Sequence, residues 1–429
     1  MPERIVHRGA LLHFLDEPML DTNAIEYFED GALLVAEGHI EKVGNATDVL
    51  AKLSSSVPVL DHKNALIAPG FVDCHVHYPQ YHVMAAFGTQ LLDWLTTHTF
   101  PEEEKFKDIA YASDVAERFL KQLLSNGTTT ALVFGTVHPQ SVDAFFEAAN
   151  QRNLRMICGK VMMDRNAPPG LLDTADESVT DSEALIQRWH GRDRLGYAVT
   201  PRFAPTSSPA QLEGAAQLLQ KHPGVMLHTH LAENRSECNW VGELYPENRS
   251  YLDVYDQFGL LGPNSIFAHS IYLDDKDRQR LAQTHSSIAH CPTSNLFIGS
   301  GLFDMKAAAS AGIKIGLATD VGGGDSYSLL RTINESYKIQ QLQEYILDPF
   351  QSFYMATLGG ARAISVDSHI GNFTVGKEAD FNILDLQATE LIAARIAKCQ
   401  SLKEKLFVLQ MLGDERAIRQ TWIMGSPVT

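Results

Sequence analysis

Paired cysteines are missing from this sequence. Its five, Cys74, Cys158, Cys238, Cys291 and Cys399, are odd in number and scattered, and no C-x-x-C occurs. That excludes a disulfide framework and every cysteine-rich zinc site, and it points to a reducing cytoplasm. Long apolar runs are missing too. No stretch reaches the roughly 20 residues that a bilayer span needs. The start, Met1-Pro2-Glu3-Arg4-Ile5-Val6-His7-Arg8, lacks the apolar segment of a signal peptide. No membrane partner is expected. Positive charge is scarce: 35 lysines and arginines face 52 acids, a net charge of −17. That excess weighs against a nucleic-acid partner held by bulk electrostatics, and leaves room for a small neutral ligand in a local pocket. The 429 residues are 45% hydrophobic, enough for a large core without staples, and compatible with one α/β barrel plus extensions.

Literal repeats are absent, but a pattern of elements repeats. Short apolar or β-branched runs alternate with amphipathic segments. The runs are Ala65–His77, Thr128–Gly135, Arg155–Met163, Leu195–Phe203, Val225–Leu231, Ser265–Ile271, Ser286–Pro292 and Lys314–Asp320. Between them, Asp114–Leu124, Ser141–Asn150, Ser182–Trp189 and Pro209–Lys221 have helical composition. Eight strands separated by helices predict a closed (β/α)8 barrel of the TIM type. The rival, an open doubly wound sheet, would carry a glycine-rich phosphate loop after its first strand, and none is seen. The ends read as β-structure. A hairpin is expected at Glu37-Gly38-His39, and a strand entered from a turn at Gly376-Lys377-Glu378-Ala379-Asp380. The expected division is 1–68 and 371–429 as the two parts of a small β-sandwich-like domain, with 69–370 as the barrel.

In a barrel of this kind, function belongs at the C-terminal strand ends. The first run ends His75-Val76-His77. Residues i and i+2 of a strand share a face, so both imidazoles can point into the barrel mouth, and neutral imidazole is a ligand for zinc or a similar ion. The fifth run gives His228-Thr229-His230, with Glu233 just beyond. His228 is a rival ligand by the same spacing, and His230 is preferred as nearer the strand end. The sixth ends at His269 and the eighth at Asp320, followed by Gly322-Gly323-Gly324. Singly, each has a bland reading: a satisfied core histidine for His269, a helix N-cap for Asp320, a turn for the glycines. Four strands that all end in metal-competent or proton-transferring groups predict a catalytic metal site.

His75-Val76-His77 after Pro69-Gly70-Phe71-Val72-Asp73, together with His230, His269 and Asp320, resembles the amidohydrolase superfamily over nearly the whole chain. The finer likeness is to the guanine deaminases. It lies in residues Pro69 through Gln80, Leu91-Leu92-Asp93-Trp94-Leu95, Thr99-Phe100-Pro101 and Asn126-Gly127-Thr128-Thr129-Thr130-Ala131. It continues in Pro201 through Ser207, His230 through Asn234, and Cys291-Pro292-Thr293-Ser294-Asn295. The resemblance implies hydrolysis of guanine to xanthine and ammonia. It implies that His75, His77, His230 and Asp320 hold a metal, that Glu233 shuttles protons and that His269 orients the water or polarises the reacting centre. It also implies that Gln80, Arg202 and Phe203, with Trp94, hold the purine beside His230, Glu233, His269 and Asp320. Binuclear relatives bridge their metals with a carboxylated lysine from a middle strand. The fourth run ends Thr200-Pro201-Arg202-Phe203, without one, and Lys160 reads as a structural charge. One divalent ion per chain is therefore expected, zinc first and iron possible by ligand type. A homodimer is what the family implies.

Three alternatives are weighed. A related amidohydrolase acting on 8-oxoguanine, an adenine derivative or a triazine would share the metal residues and differ at Gln80 and Arg202. A barrel that binds without turnover is opposed by the intact set of polar strand ends. The cytidine-deaminase plan, H-x-E with P-C-x-x-C, is not present. Asp93–Glu104, which holds Trp94, is the expected closing segment.

Overall fold

The computed structural model describes residues 4–51, 53–88 and 90–428. The expectations that rest on residues 1–3 lie outside them. Among the described residues sixteen strands are present: β1 (Arg4–Phe14), β2 (Ile25–Ala36), β3 (His39–Asn45), β4 (Val59–Pro69), β5 (Phe71–His77), β6 (Thr128–Phe134), β7 (Arg155–Gly159) and β8 (Val161–Met162). They continue with β9 (Gly196–Pro201), β10 (Met226–Leu231), β11 (Ser265–His269), β12 (Ser287–His290), β13 (Lys314–Leu317), β14 (Phe381–Asp385), β15 (Ile418–Ile423) and β16 (Ser426–Pro427).

Strands β5 to β13 run parallel in the order β5-β6-β7-β9-β10-β11-β12-β13, with the short β8 also on β9. Helices such as Ile109–Ser125, Pro139–Gln151, Ala175–Trp189 and Pro209–Lys221 fill the connections. Parallel strands need such crossovers and end up covered on both faces. The seam between last and first strand is closed by backbone bonds beyond β13. Asp320 N–H donates to His75 O at 3.0 Å and His77 N–H to Val321 O at 2.9 Å. Asp73 braces the same seam, accepting from Thr319 N–H at 3.1 Å and from the Thr319 hydroxyl. The interior is packed with Val72, Cys74, Leu132, Ile157, Met226 and Ile266, so this is a near-closed barrel with a solid core.

The terminal strands form a separate seven-stranded sheet, β16-β15-β14-β4-β1-β2-β3. Ala36 faces His39 across the β2–β3 hairpin, so its turn is the two residues Glu37 and Gly38, both at positive φ. His39 already belongs to the strand. The run Ala65–His77 is two strands in two sheets. The break is Gly70, where a Cβ would stand 2.1 Å from the Thr129 hydroxyl. Only glycine lets the chain leave the terminal sheet and enter the barrel so close to β6. Alternation alone cannot show such a change of sheet.

An ion network ties the terminal segment to the foot of the barrel. Arg155 and Arg194 both engage Glu378, and Arg194 also reaches Asp380. All four side chains are at most 12% exposed. Against the burial that raises it, the two arginines pull the Glu378 carboxyl from its ordinary 4.5 down to about 2. A depressed carboxyl stabilises the fold above its unfolded value and loses that contribution as pH falls through the folded one. Glu378→Ala is expected to cost about 3 kcal/mol, because it leaves buried guanidinium groups unpaired. Urea denaturation should show this loss at pH 7 and a much smaller one near pH 2. Equal losses at both pH values would contradict it.

All five cysteines are free. Among the described residues no helix is long and apolar enough to cross a membrane.

Candidate active site

The barrel mouth holds the histidines because β5 is irregular. Its register against β6 shifts between Asp73 and Val76. Below the shift, Val72 and Cys74 face the interior core. Above it, His75 and His77 face the centre. Bulges of this kind re-aim side chains beside active sites. Ala232, His269 and Asp320, at or just past the ends of β10, β11 and β13, all have φ near +50 to +70°. Left-handed backbone is costly for residues with a Cβ and is characteristic of functional strand ends. Asp320 lies three residues beyond β13, and its carboxylate meets His75 and His77. The next long helix, Leu329–Leu342, begins at Ser328, so Asp320 is no cap.

Four of the six separations among the candidate donor atoms are close to those that one ion requires. His75 Nε2 is 3.2 Å from His77 Nε2, which is 3.3 Å from His230 Nε2. Asp320 Oδ1 is 3.1 Å from His75 Nε2 and 3.4 Å from His77 Nε2. Ligands about 2.0–2.2 Å from a single tetrahedral ion stand about 3.3–3.6 Å apart. A second grouping overlaps the first: ligand atoms of His75, His230, His269 and Asp320 lie within 4.8 Å of one another. His269 Nε2 is buried without a hydrogen-bond partner, 3.4 Å from Glu233 Oε2 and 3.6 Å from Asp320 Oδ2.

The outer ring nitrogens orient these groups. His230 Nδ1 lies 2.7 Å from the Arg202 carbonyl oxygen and so carries the proton, leaving the Nε2 lone pair toward the centre. His269 Nδ1 is held the same way by Asn295 Oδ1 at 2.8 Å. His75 Nδ1 meets His228 Nε2 at 2.7 Å. His228 thus stands behind His75, while His230 Nε2 faces His77 Nε2. Burial lowers His77 to about 3 and holds His228 and His230 well below the ordinary imidazole range. Neutral rings are the ligand form. Against the burial that raises it, the neighbouring histidines keep Asp320 well below the usual carboxylate range. The donor set therefore fits a divalent cation. Lys160 is fully buried, with its ammonium engaged by Asp173 and the Val161 carbonyl, the structural charge expected of it.

Above the cluster lies a small pocket. His77, Gln80, Trp94, Arg202, Phe203, His230, Glu233, His269 and Asp320 all line it. His75 and its rival ligand His228 do not line it. Glu233 is buried and accepts from the Ser300 hydroxyl at 2.9 Å. Burial, reinforced by Asp320, pushes its carboxyl up to about 8. The glycines after Asp320 are close approaches: a Cβ on Gly322 would lie 2.8 Å from Gln80 O, and one on Gly324 1.8 Å from Thr319 O. The Gly322 N–H donates to Gln80 Oε1 at 3.1 Å. The expected closing segment is helical. Leu91–Trp94 runs through a π-helical stretch, Leu95–Thr99, into Phe100–Glu103.

Several contributors escaped the sequence reading. Ile298 lines the pocket, Ser300 holds Glu233, and Glu103 sits behind Gln80 and Arg202. Asn295 was visible in the Cys291–Asn295 stretch without a role. Ser300 and Glu103 carry no local pattern, since their partners are distant in the chain.

Comparison with known proteins agrees with this geometry. Residues 66–428 match the model of the Amidohydrolase family. The guanine deaminase of Escherichia coli (strain K12) is 52% identical over 411 residues, covering 96% of this chain and 94% of that protein. The solved E. coli guanine deaminase superposes with a TM-score of 0.96 at 50% identity, covering 99% of both chains. Guanine deaminase from C. acetobutylicum, solved with guanine bound in its active site, gives 0.89 at 28% identity, with 99% of this chain and 100% of that one covered. On the family match, the near full-length relatives and the polar strand ends together, the chain belongs to the amidohydrolase family, among its guanine deaminases.

Proposed function

We propose that this protein hydrolyses guanine to xanthine and ammonia, with one divalent ion held by His75, His77, His230 and Asp320. The observation that carries it is the meeting of that donor cluster with Glu233 and a pocket lined by Gln80, Arg202 and Phe203. The donor set of three imidazoles and a carboxylate favours zinc and also accommodates iron. When bound, such an ion lowers the pKa of water and provides a nucleophile near neutrality.

The side chains supply the rest. The purine amino carbon is a poor electrophile while the ring is neutral. Glu233, poised near neutrality, takes one proton from the water and delivers it to the adjacent ring nitrogen. The second proton of the water goes to the amine, which leaves as ammonia while the carbonyl forms. His269, with its free Nε2 between Glu233 and Asp320, orients the water. Arg202 and Gln80 hold the polar edge of the base, and Phe203 offers a flat apolar face. Residues 69–370 as the barrel, 1–68 with 371–429 as the terminal domain, a homodimer and a cytoplasmic location belong to the same proposal. The free cysteines support the compartment, and the family supports the dimer.

A substrate panel tests the assignment. Ammonia release is expected from guanine, with 8-oxoguanine, adenine, cytosine and a triazine at least about 100-fold slower in kcat/KM. Faster turnover of another base would keep the metal chemistry and overturn the pocket assignment.

A further inference from the structure

Glu103 takes no part in the metal cluster, yet its side chain is 1% exposed. A carboxylate is rarely buried so fully without a fixed partner. Here it has two, and both belong to the pocket. Arg202 Nη1 donates to Glu103 Oε2 at 2.7 Å and to Oε1 at 3.0 Å. Gln80 Nε2 donates to Oε1 at 3.2 Å.

This one carboxylate removes two freedoms at once. With its Nε2 on Glu103 and its Oε1 on the Gly322 N–H, the Gln80 amide has a single orientation. A flipped amide would set oxygen against oxygen at one end and N–H against N–H at the other. Arg202 is anchored at Nη1, and its guanidinium lies over the Phe100 ring at 5.3 Å. Among the described residues, no protein acceptor meets its Nη2 or Nε. Arg202 itself lines the pocket. The opposite charges of Arg202 and Glu103 also cancel, so the pocket presents directed donors without the field of a lone cation, which suits a neutral base.

We infer that Glu103 is the positioning residue for recognition of the purine carbonyl, fixing Arg202 and Gln80 so that the site favours bases that carry that oxygen. The inference rests on the purine reading of the pocket. It extends that reading to a residue that touches neither metal nor base.

Calorimetric binding of two non-reacting probes separates recognition from chemistry. Hypoxanthine carries the carbonyl, purine does not, and neither carries the amino group that is lost. The metal-loaded wild type is expected to bind hypoxanthine about 10–100-fold more tightly than purine, the worth of a charge-assisted hydrogen bond. Glu103→Gln is expected to bring that ratio to within about threefold of one while purine binding holds. Glu103→Asp, which keeps the charge pair and withdraws it by a methylene, should fall between. With guanine, KM should rise more than kcat falls. If Glu103→Gln does not fold, Glu103→Asp carries the test alone. A wild-type ratio near one, or an equal loss of both probes, would overturn the inference. Guanine turnover by the wild type is scored separately. Its absence beside an intact ratio would sink the deaminase reading only.

Discussion

Glu233→Gln is expected to keep its metal and lose about 10²–10⁴-fold in kcat for guanine. The substitution preserves shape and can still accept the Ser300 hydroxyl, which holds Oε1 at 2.9 Å. It removes the one thing the reaction requires there, a group that can take and release a proton. Burial and the neighbouring Asp320 raise Glu233 from 4.5 to about 8, into the range where one carboxyl does both near neutral pH. Its Oε2 lies 3.4 Å from His269 Nε2, on the side of the metal donors. Steady-state kinetics with metal analysis on the same sample would check this. Wild-type-like turnover would refute the proton role, and metal loss would recast Glu233 as a ligand.

His230→Ala is expected to lose metal and activity together. Its Nε2 is 3.3 Å from that of His77, and its other nitrogen is fixed on the Arg202 carbonyl. His228, two residues earlier, already meets His75 Nδ1. Metal content should fall from one equivalent per chain to below about a tenth, with turnover falling in step. Retained stoichiometric metal would return the ligand role to His228.

The sequence shows the site better than it shows the frame around it. Histidines and carboxylates at strand ends are conspicuous, because such groups are rarely placed beside apolar runs without a partner. Every pocket residue singled out there lines the cavity. The parity change in β5 was hidden. Two histidines at i and i+2 share a face in any strand, but that this face is the barrel mouth follows from a register shift that only pairing with β6 reveals. The break at Gly70 was hidden for a similar reason: apolar residues continue through Ala65–His77 while the chain changes sheets. Glu103 stands 23 residues from Gln80 and 99 from Arg202, and no local pattern spans such separations. Long-range polar contacts are the part of a site that a linear reading loses.

Metal-dependent hydrolysis of guanine by this donor cluster and pocket is the central proposal. Xanthine formation from guanine, measured on chelator-stripped protein during titration with zinc, tests that most directly. The predicted result is silence in the stripped protein and a rate that rises linearly to a plateau at about one zinc per chain, with one ammonia per xanthine. Undiminished turnover after stripping, or a plateau without xanthine, would contradict it.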